Sequence, residues 1–99
     1  MHRHTVLFNF KDEVDGALRD EVIASLRSLA DLATVETFHV AKNLLPRGDV
    51  APYEWLIVGD FADQKAREVY EKDEKHVAVV RQKFLPNVKN FAIIDVNLS

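Results

Sequence analysis

Residues 4–10 have an apolar, β-rich composition bounded by polar residues, which predicts a first strand with Thr5, Leu7 and Asn9 on one of its faces. The residues that share the other face of this strand are His4, Val6, Phe8 and Phe10. Segments rich in β-branched and aromatic residues predict three further strands, at residues 35–42, 53–61 and 90–96. Residues 43–52 contain two prolines and a glycine, which predicts a loop between the second and third strands.

Helical spacing replaces the strand pattern in the segment that follows the first strand. Apolar residues recur every three or four positions between residues 17 and 32, with charged residues on the other side. This pattern predicts an amphipathic helix, and either Asp12 or Asp15 could cap its start.

A second helical segment is predicted to start after Asp63, to break near Asp73 and to end at Pro86. His76 lies shortly after the break, in the restarted helix. Because a helix N-terminus disfavours the imidazolium form, we expect a neutral imidazole that can accept a proton. The alternative is a structural role, in which His76 bonds the end of a neighbouring strand and shapes the helix break.

The predicted elements follow the order β-α-β-β-α-β, which is the split arrangement of ferredoxin-like folds. The predicted fold class is therefore α+β, with a four-stranded antiparallel sheet in a single domain over residues 1–99.

Both faces of the predicted sheet are apolar, although two helices can cover only one of them. One face carries Val6, Phe8, Trp55, Ile57, Phe91 and Ile93. The other face carries Leu7, Leu56, Val58, Ala92, Ile94 and Val96. An uncovered apolar face of this size favours a partner, and the simplest partner is a second copy related by a two-fold axis. We therefore predict a homodimer whose sheets face each other.

Composition and charge narrow the range of functions. The 99 residues carry a net charge of −3 and the pI is near 5.7, so we expect no nucleic-acid partner and no membrane-surface binding. No apolar run is long enough to span a bilayer and no signal-peptide pattern precedes the first strand, so a cytoplasmic protein is expected. The chain has no cysteine, scattered histidines and no glycine-rich phosphate loop, so we expect neither a metal site nor a cofactor.

Several short motifs occur together along the chain. They are residues 3–11, 52–55, 74–78 and 91–96, together with Phe61 and Tyr70. In this order and at these spacings they resemble the stress-responsive dimeric α/β-barrel (Dabb) family over essentially the whole chain. Members of that family are ferredoxin-like protomers that pair into a barrel, so the resemblance implies the same protomer and a dimeric α/β-barrel.

The resemblance also implies candidate residues. In a plant polyketide cyclase of the family, a histidine after the broken helix acts as base and a tyrosine six residues earlier assists it. These positions fall on His76 and Tyr70, and the histidine at the mouth of the cyclase pocket falls on His4. A further histidine of the cyclase falls on Trp55, so the pocket predicted here differs from the pocket of that enzyme.

We therefore predict an apolar pocket between the sheet and the helices that binds a small, largely apolar ligand. Its walls are predicted to be Val6, Phe8, Val22, Ile23, Leu26, Trp55 and Ile57. Cofactor-free acid–base chemistry, such as cyclisation, isomerisation or dehydration, would use His76 as the base, with Tyr70 and His4 assisting.

Two other functions compete with this hypothesis. The main alternative is a non-enzymatic stress-response or interaction protein in which the dimer itself is the working unit. A haem- or quinol-handling monooxygenase is disfavoured, because the resemblance is to a different branch of the dimeric α/β-barrels.

Overall fold

The computed structural model describes residues 1–45, 47–50 and 52–99. Within them the chain forms, in order, β1 (His2–Phe10), α1 (Gly16–Arg27), β2 (Thr37–Lys42), β3 (Trp55–Phe61), α2 (Gln64–Lys72), α3 (Glu74–Val79) and β4 (Val88–Asn97). A short 3-10 helix, Ser28–Asp31, follows α1, and a π-helical turn, Val80–Phe84, follows α3. The predicted loop at 43–52 includes Pro46 and Ala51, which lie outside the described residues; its other residues form turns, bends and irregular chain.

The strands form one sheet in the order β2-β3-β1-β4, and every neighbouring pair is antiparallel. Val6 on β1 lies opposite Ile57 on β3 and Ile93 on β4, so these three side chains share one face. Leu7 lies opposite Leu56 and shares the other face with it. The predicted α+β class, the four-stranded antiparallel sheet and the assignment of residues to its two faces are confirmed.

Aspartates cap the N-termini of the α-helices, because their short side chains can accept hydrogen bonds from backbone amides of the first turn. Asp15, rather than Asp12, caps α1 by accepting the amide hydrogen of Leu18 at 2.9 Å. Asp63 caps α2 in the same way, as predicted. The predicted break is at Asp73, whose extended backbone ends α2 and whose side chain caps α3.

The end of α1 and the start of β3 differ from the predicted boundaries, and a side-chain hydrogen bond to the backbone is present at each of them. α1 ends at Arg27 rather than near residue 32, because the chain tightens there into the 3-10 helix, at whose start the Ser28 hydroxyl donates to the Ser25 carbonyl at 2.6 Å. β3 begins at Trp55 rather than at residue 53, since the side chain of Asn9 accepts the amide hydrogen of Glu54 at 2.8 Å.

The other two strand boundaries follow from local pairing. β2 begins at Thr37 rather than at residue 35, because the Val35 amide donates to the Leu32 carbonyl in a turn. β4 begins at Val88 rather than at residue 90, because the sheet continues past a register shift to pair Phe10 with Val88.

The core lies between the helices and the facing side of the sheet. Phe8, Val22 and Phe61 are fully buried there. On the opposite side of the sheet Ile94 and Val96 are exposed, so the second apolar face is open in the single chain. Beyond the core, the helices also leave part of the edge strand β4 uncovered, where Phe91 and Ile93 remain exposed on the helix-facing side.

Candidate functional site

A cavity of about 240 Å³ lies between the sheet and the helical segment from α2 to the π-helical turn. Its apolar walls include Val6, Leu26, Leu29, Ile57, Val80 and Phe84. Its polar end is formed by His4, Arg67, Tyr70, Glu71 and His76. The volume is slightly below the range of about 300–1,000 Å³ that drug-sized ligands occupy, so the cavity suits a small molecule.

The structure brings the three predicted site residues to the same end of this cavity. The rings of Tyr70 and His76 are in contact, with centroids 4.4 Å apart, and the ring of His4 lies 6.4 Å from that of Tyr70. Three residues of the predicted wall, Val6, Leu26 and Ile57, line the cavity.

Four residues of the predicted wall do not line the cavity, and this is a correction to the sequence analysis. They are Phe8, Val22, Ile23 and Trp55. The ring of Phe84 packs edge-on against Phe8 at 5.3 Å, and Trp55 stacks on Phe8 from the other side at 6.4 Å. These aromatic rings fill that end of the interior, while Val22 and Ile23 are buried in the core.

The helix break positions His76. In a continuous helix the amide of Lys75 would donate to the carbonyl of Glu71. Here that amide donates to the side chain of Asp73 at 2.8 Å, which leaves the Glu71 carbonyl free. His76 donates its Nδ1–H to this carbonyl at 2.9 Å. Because Nδ1 carries the proton, Nε2 is the nitrogen that can accept a hydrogen bond or a proton.

A carboxylate fixes His4 from the neighbouring strand. Asp95 on β4 lies directly opposite His4 on β1, and its Oδ1 is 2.8 Å from Nδ1 of His4. The same oxygen is 2.8 Å from Nε2 of His2 and 3.4 Å from Nε of Arg67. Arg67 is itself paired with Glu71, one helical turn along α2, at 2.6 Å. The polar end of the cavity is thus a connected group of charged and imidazole side chains.

Tyr70 is held by aromatic packing rather than by hydrogen bonds. Its ring centroid lies 5.0 Å from that of Phe61 and 6.2 Å from that of Phe38. Burial raises the pKa of the Tyr70 hydroxyl well above its usual value, so the group stays protonated. His76 is oriented by the Glu71 carbonyl, so the role left for the Tyr70 hydroxyl is to donate a hydrogen bond into the cavity.

Burial is the main electrostatic influence on both imidazoles. It lowers the pKa of His4 and of His76 below the ordinary value of 6.5, because a charged ring loses hydration inside the protein. The neighbouring acidic groups oppose this shift without reversing it. A neutral His76 was predicted from its place near a helix N-terminus; the lowered pKa has the predicted direction, but its largest cause is burial. Two neutral rings at the end of an apolar cavity can each accept a proton.

Sequence reasoning missed the charged members of the site. Asp95 occupies the third position of the alternation Phe91, Ile93, Asp95, so a carboxylate on an otherwise apolar strand face was the available signal. Arg67 and Glu71 lie three residues before Tyr70 and one after it, which is one face of a helix. Both signals were present in the pattern.

The described residues contain neither a cluster of metal ligands nor a membrane-spanning helix. Outside positions 46 and 51, no three histidine, aspartate or glutamate side chains come together as a metal site would require. Over the same residues, no helix combines the length and hydrophobicity needed to cross a bilayer.

Solved structures resemble this one over nearly the whole chain, whereas no curated protein matches it. A Dabb family protein with a ferredoxin-like fold from Mesorhizobium loti has 30% sequence identity and a TM-score of 0.85, over 99% of this chain and 97% of that chain. A dimeric ferredoxin-like protein of unknown function from Thermobifida fusca has 20% identity and a TM-score of 0.84, over 98% and 90%. The hydroxynitrile lyase of Passiflora edulis shares the fold, with 14% identity and a TM-score of 0.87, over 99% and 93%.

The family assignment rests on a match to nearly the whole sequence. The family model for the stress responsive A/B barrel domain, Dabb, matches residues 3–98. This agrees with the resemblance noted in the sequence and with the fold of the structural neighbours. The chain belongs to the Dabb family of stress responsive A/B barrel domains.

Proposed function

We propose that this protein binds a small, largely apolar molecule in the cavity and performs cofactor-free acid–base chemistry on it. The observation that carries the proposal is the anchoring of His76, whose Nδ1–H is held by a backbone carbonyl at 2.9 Å. Its Nε2 is thus the available acceptor at the polar end of an apolar cavity. A base fixed in this way removes a proton from a bound molecule without first losing its own hydration.

The other groups have complementary roles in this proposal. Tyr70 stays protonated, so it donates a hydrogen bond to an oxygen that gains negative charge as the proton leaves. His4 supplies a second acceptor beside it. Apolar walls hold the body of the molecule. Cyclisation, isomerisation and dehydration all need this combination.

Two small reporter substrates test whether the site removes a proton from a bound molecule. Benzoylacetone reports abstraction of a C–H proton, as deuterium incorporation in D2O. Mandelonitrile, chosen because one structural relative is a hydroxynitrile lyase, reports removal of a hydroxyl proton as the C–C bond to cyanide breaks and benzaldehyde forms. We expect wild type to exceed the buffer rate with at least one probe, and His76→Ala to lose at least about 100-fold of that rate, as a general base contributes.

The control is Asp12→Ala, which removes a side chain that is 89% exposed and does not line the cavity. It should keep the wild-type rate. Equal rates in wild type and His76→Ala would contradict the assignment of the base.

We also propose that the protein works as a homodimer through the open sheet face. This face carries Leu7, Leu56, Val58, Ile94 and Val96, and the last two are exposed in the single chain. Several structural neighbours are described as dimeric, which supports the proposal. The open face also supports the second candidate function, an interaction protein in which the dimer is the working unit. In that case His76→Ala would change the free energy of unfolding, and neither wild type nor the variant would accelerate a reaction.

A further inference from the structure

We propose that Asp95 is a positioning residue: it holds His4 in the form protonated on Nδ1, so that Nε2 of His4 accepts a hydrogen bond and the cavity prefers a neutral hydroxyl group over a carboxylate. This inference rests on the proposed function, since it concerns the same cavity. It adds a residue that acts through His4 and a chemical class for the polar part of the ligand.

Strand pairing sets the contact between the two residues. Asp95 and His4 are direct partners across β4 and β1, and both point to the helix-facing side of the sheet. His4 is only 6% exposed. The interior leaves its ring little freedom, and Asp95 Oδ1 stands 2.8 Å from Nδ1. Facing residues on paired strands keep this geometry without help from a flexible loop.

The charge on Asp95 decides which nitrogen of His4 carries the proton. Oδ1 of Asp95 accepts from both His2 and His4 at 2.8 Å, and an ionised carboxylate can only accept. Nδ1 of His4 must therefore donate. Nη2 of Arg67 is also near Nδ1 of His4, but at 3.4 Å it is farther away than Oδ1 of Asp95. The shorter contact, with Asp95, therefore determines that Nδ1 carries the proton. The hydrogen bonds of the His4 ring to the described residues all involve Nδ1, and His4 lines the cavity, so Nε2 is the nitrogen left to accept from a ligand.

The fixed charges around the cavity disfavour an anionic ligand. Nη1 of Arg67 pairs with Glu71 at 2.6 Å, whereas its Nε lies 3.4 Å from Asp95 and makes no hydrogen bond to the described residues. With both imidazoles neutral, one positive charge meets two negative charges at this end. A carboxylate would add a third negative charge, whereas a hydroxyl group would donate its hydrogen to Nε2 of His4.

The first test measures the proton position directly, with no ligand. NMR of protein labelled with 15N-histidine distinguishes a protonated ring nitrogen from an unprotonated one. We expect the Nδ1–H form for His4 in wild type and a shift toward the Nε2–H form in Asp95→Asn, whose amide can donate to Nδ1. His76, anchored to a backbone carbonyl, is the internal control, and Asp12→Asn removes an equal charge at an exposed site.

Two results of this test would overturn the role of Asp95. They are an Nε2–H form of His4 in wild type, or an unchanged His4 in folded Asp95→Asn. Should Asp95→Asn fail to fold, the wild-type spectrum decides by itself, since the Nε2–H form is incompatible with a donating Nδ1.

The second test measures ligand preference with three probes that share one apolar body: 4-propylphenol, 4-propylanisole and 4-propylbenzoate. We expect wild type to bind the phenol at least about tenfold more tightly than either of the others, the worth of one hydrogen bond. In Asp95→Asn the preference for the phenol over the anisole should fall to within about threefold. Benzoate binding equal to or tighter than phenol binding would overturn the preference.

The two proposals can fail separately. If none of the probes binds, the ligand site and its preference are both overturned, while the NMR result still decides the role of Asp95. If the phenol binds tightly but no probe reaction depends on His76, the preference stands and the acid–base function fails.

Discussion

His76 donates its Nδ1–H to the carbonyl of Glu71 at 2.9 Å, across the break between α2 and α3. This carbonyl is free because Asp73 interrupts the helix and takes the Lys75 amide instead. The interruption and the orientation of the histidine are therefore one structural feature. A chain that continued as a regular helix would use the carbonyl for its own ladder and would leave the imidazole without this anchor.

Removing the cap at the break should weaken the fold and loosen His76. Asp73→Ala is expected to lower the free energy of unfolding by about 1 kcal/mol, the usual worth of an N-cap. Urea denaturation monitored by circular dichroism measures the change. Asp12→Ala is the matched control, because its ion pair with Lys89 is exposed and should contribute little. Equal stability of the two variants would mean that the cap does not hold the break.

Acid should destabilise the protein through its buried imidazoles. The pKa of both His4 and His76 is lower in the folded state than the ordinary value of 6.5, so the unfolded state binds more protons below about pH 6.5. Their contribution to stability is fully present above pH 6.5 and is lost as the pH falls through the folded-state pKa values. We expect the free energy of unfolding to fall between pH 7 and pH 5.

The double variant His4→Gln/His76→Gln separates these two groups from other titrating residues. Its free energy of unfolding should change less between pH 7 and pH 5 than that of wild type, as measured by urea denaturation at each pH. A double variant with the wild-type pH dependence would show that other groups cause it.

The Tyr70 hydroxyl should matter for chemistry and hardly at all for folding. Its oxygen makes no hydrogen bond to the described residues, while its ring packs against Phe61 and His76. Tyr70→Phe should therefore keep the free energy of unfolding within about 0.5 kcal/mol of wild type, whereas Tyr70→Ala should lose about 3–5 kcal/mol. Denaturation measures both. A large loss of stability in Tyr70→Phe would reveal a structural role for the hydroxyl group.

Gly59 leaves room for the aromatic rings behind the site. A Cβ atom at this position would approach the Phe38 ring at 3.1 Å and the Phe61 ring at 3.2 Å, and both rings pack against Tyr70. We expect Gly59→Ala to cost about 1 kcal/mol through overpacking. Gly16→Ala, which meets no atom within 4 Å, is the control and should not destabilise. Thermal unfolding of the two variants decides, and equal melting temperatures would contradict the tight fit.

Sequence patterns predicted the strand faces and helix starts, which depend on residues that are close together in the chain. The alternation along β1, β3 and β4 placed Val6, Ile57 and Ile93 on one face, as the register confirms. The capping aspartates could also be predicted from the sequence, because a cap bonds a backbone amide within three residues of its own position. A strand face and a helix start are both short-range properties.

The site was harder to predict because it depends on long-range packing. His4 and Asp95 are 91 positions apart, and only the pairing of β1 with β4 makes them neighbours. The cavity wall also depends on the π-helical turn, which places Phe84 against Phe8 and so fills the volume that Phe8 and Trp55 were expected to line. Periodicity does not locate such a turn, because the turn itself breaks the helical period.

A surface substitution tests the proposed dimer. Ile94 is 51% exposed on the open sheet face, and Val69 is 54% exposed on α2, on the other side of the molecule. Ile94→Lys should produce a monomer in sedimentation velocity, because a charge would be buried in the interface. Val69→Lys should sediment as wild type does. A wild-type monomer, or an Ile94→Lys dimer, would contradict this interface.

The most direct test of the ligand site is to fill the cavity from one wall. Val80 lines the cavity, whereas Val69 lies outside it, so Val80→Phe and Val69→Phe add the same atoms at different places. The measurement is the affinity of each variant for 4-propylphenol, by NMR titration of the histidine resonances. We predict that Val69→Phe binds as wild type does and that Val80→Phe loses at least about tenfold in affinity, because the added ring occupies the ligand's volume. Equal affinities in all three proteins would contradict the account, since the phenol would then bind somewhere other than this cavity.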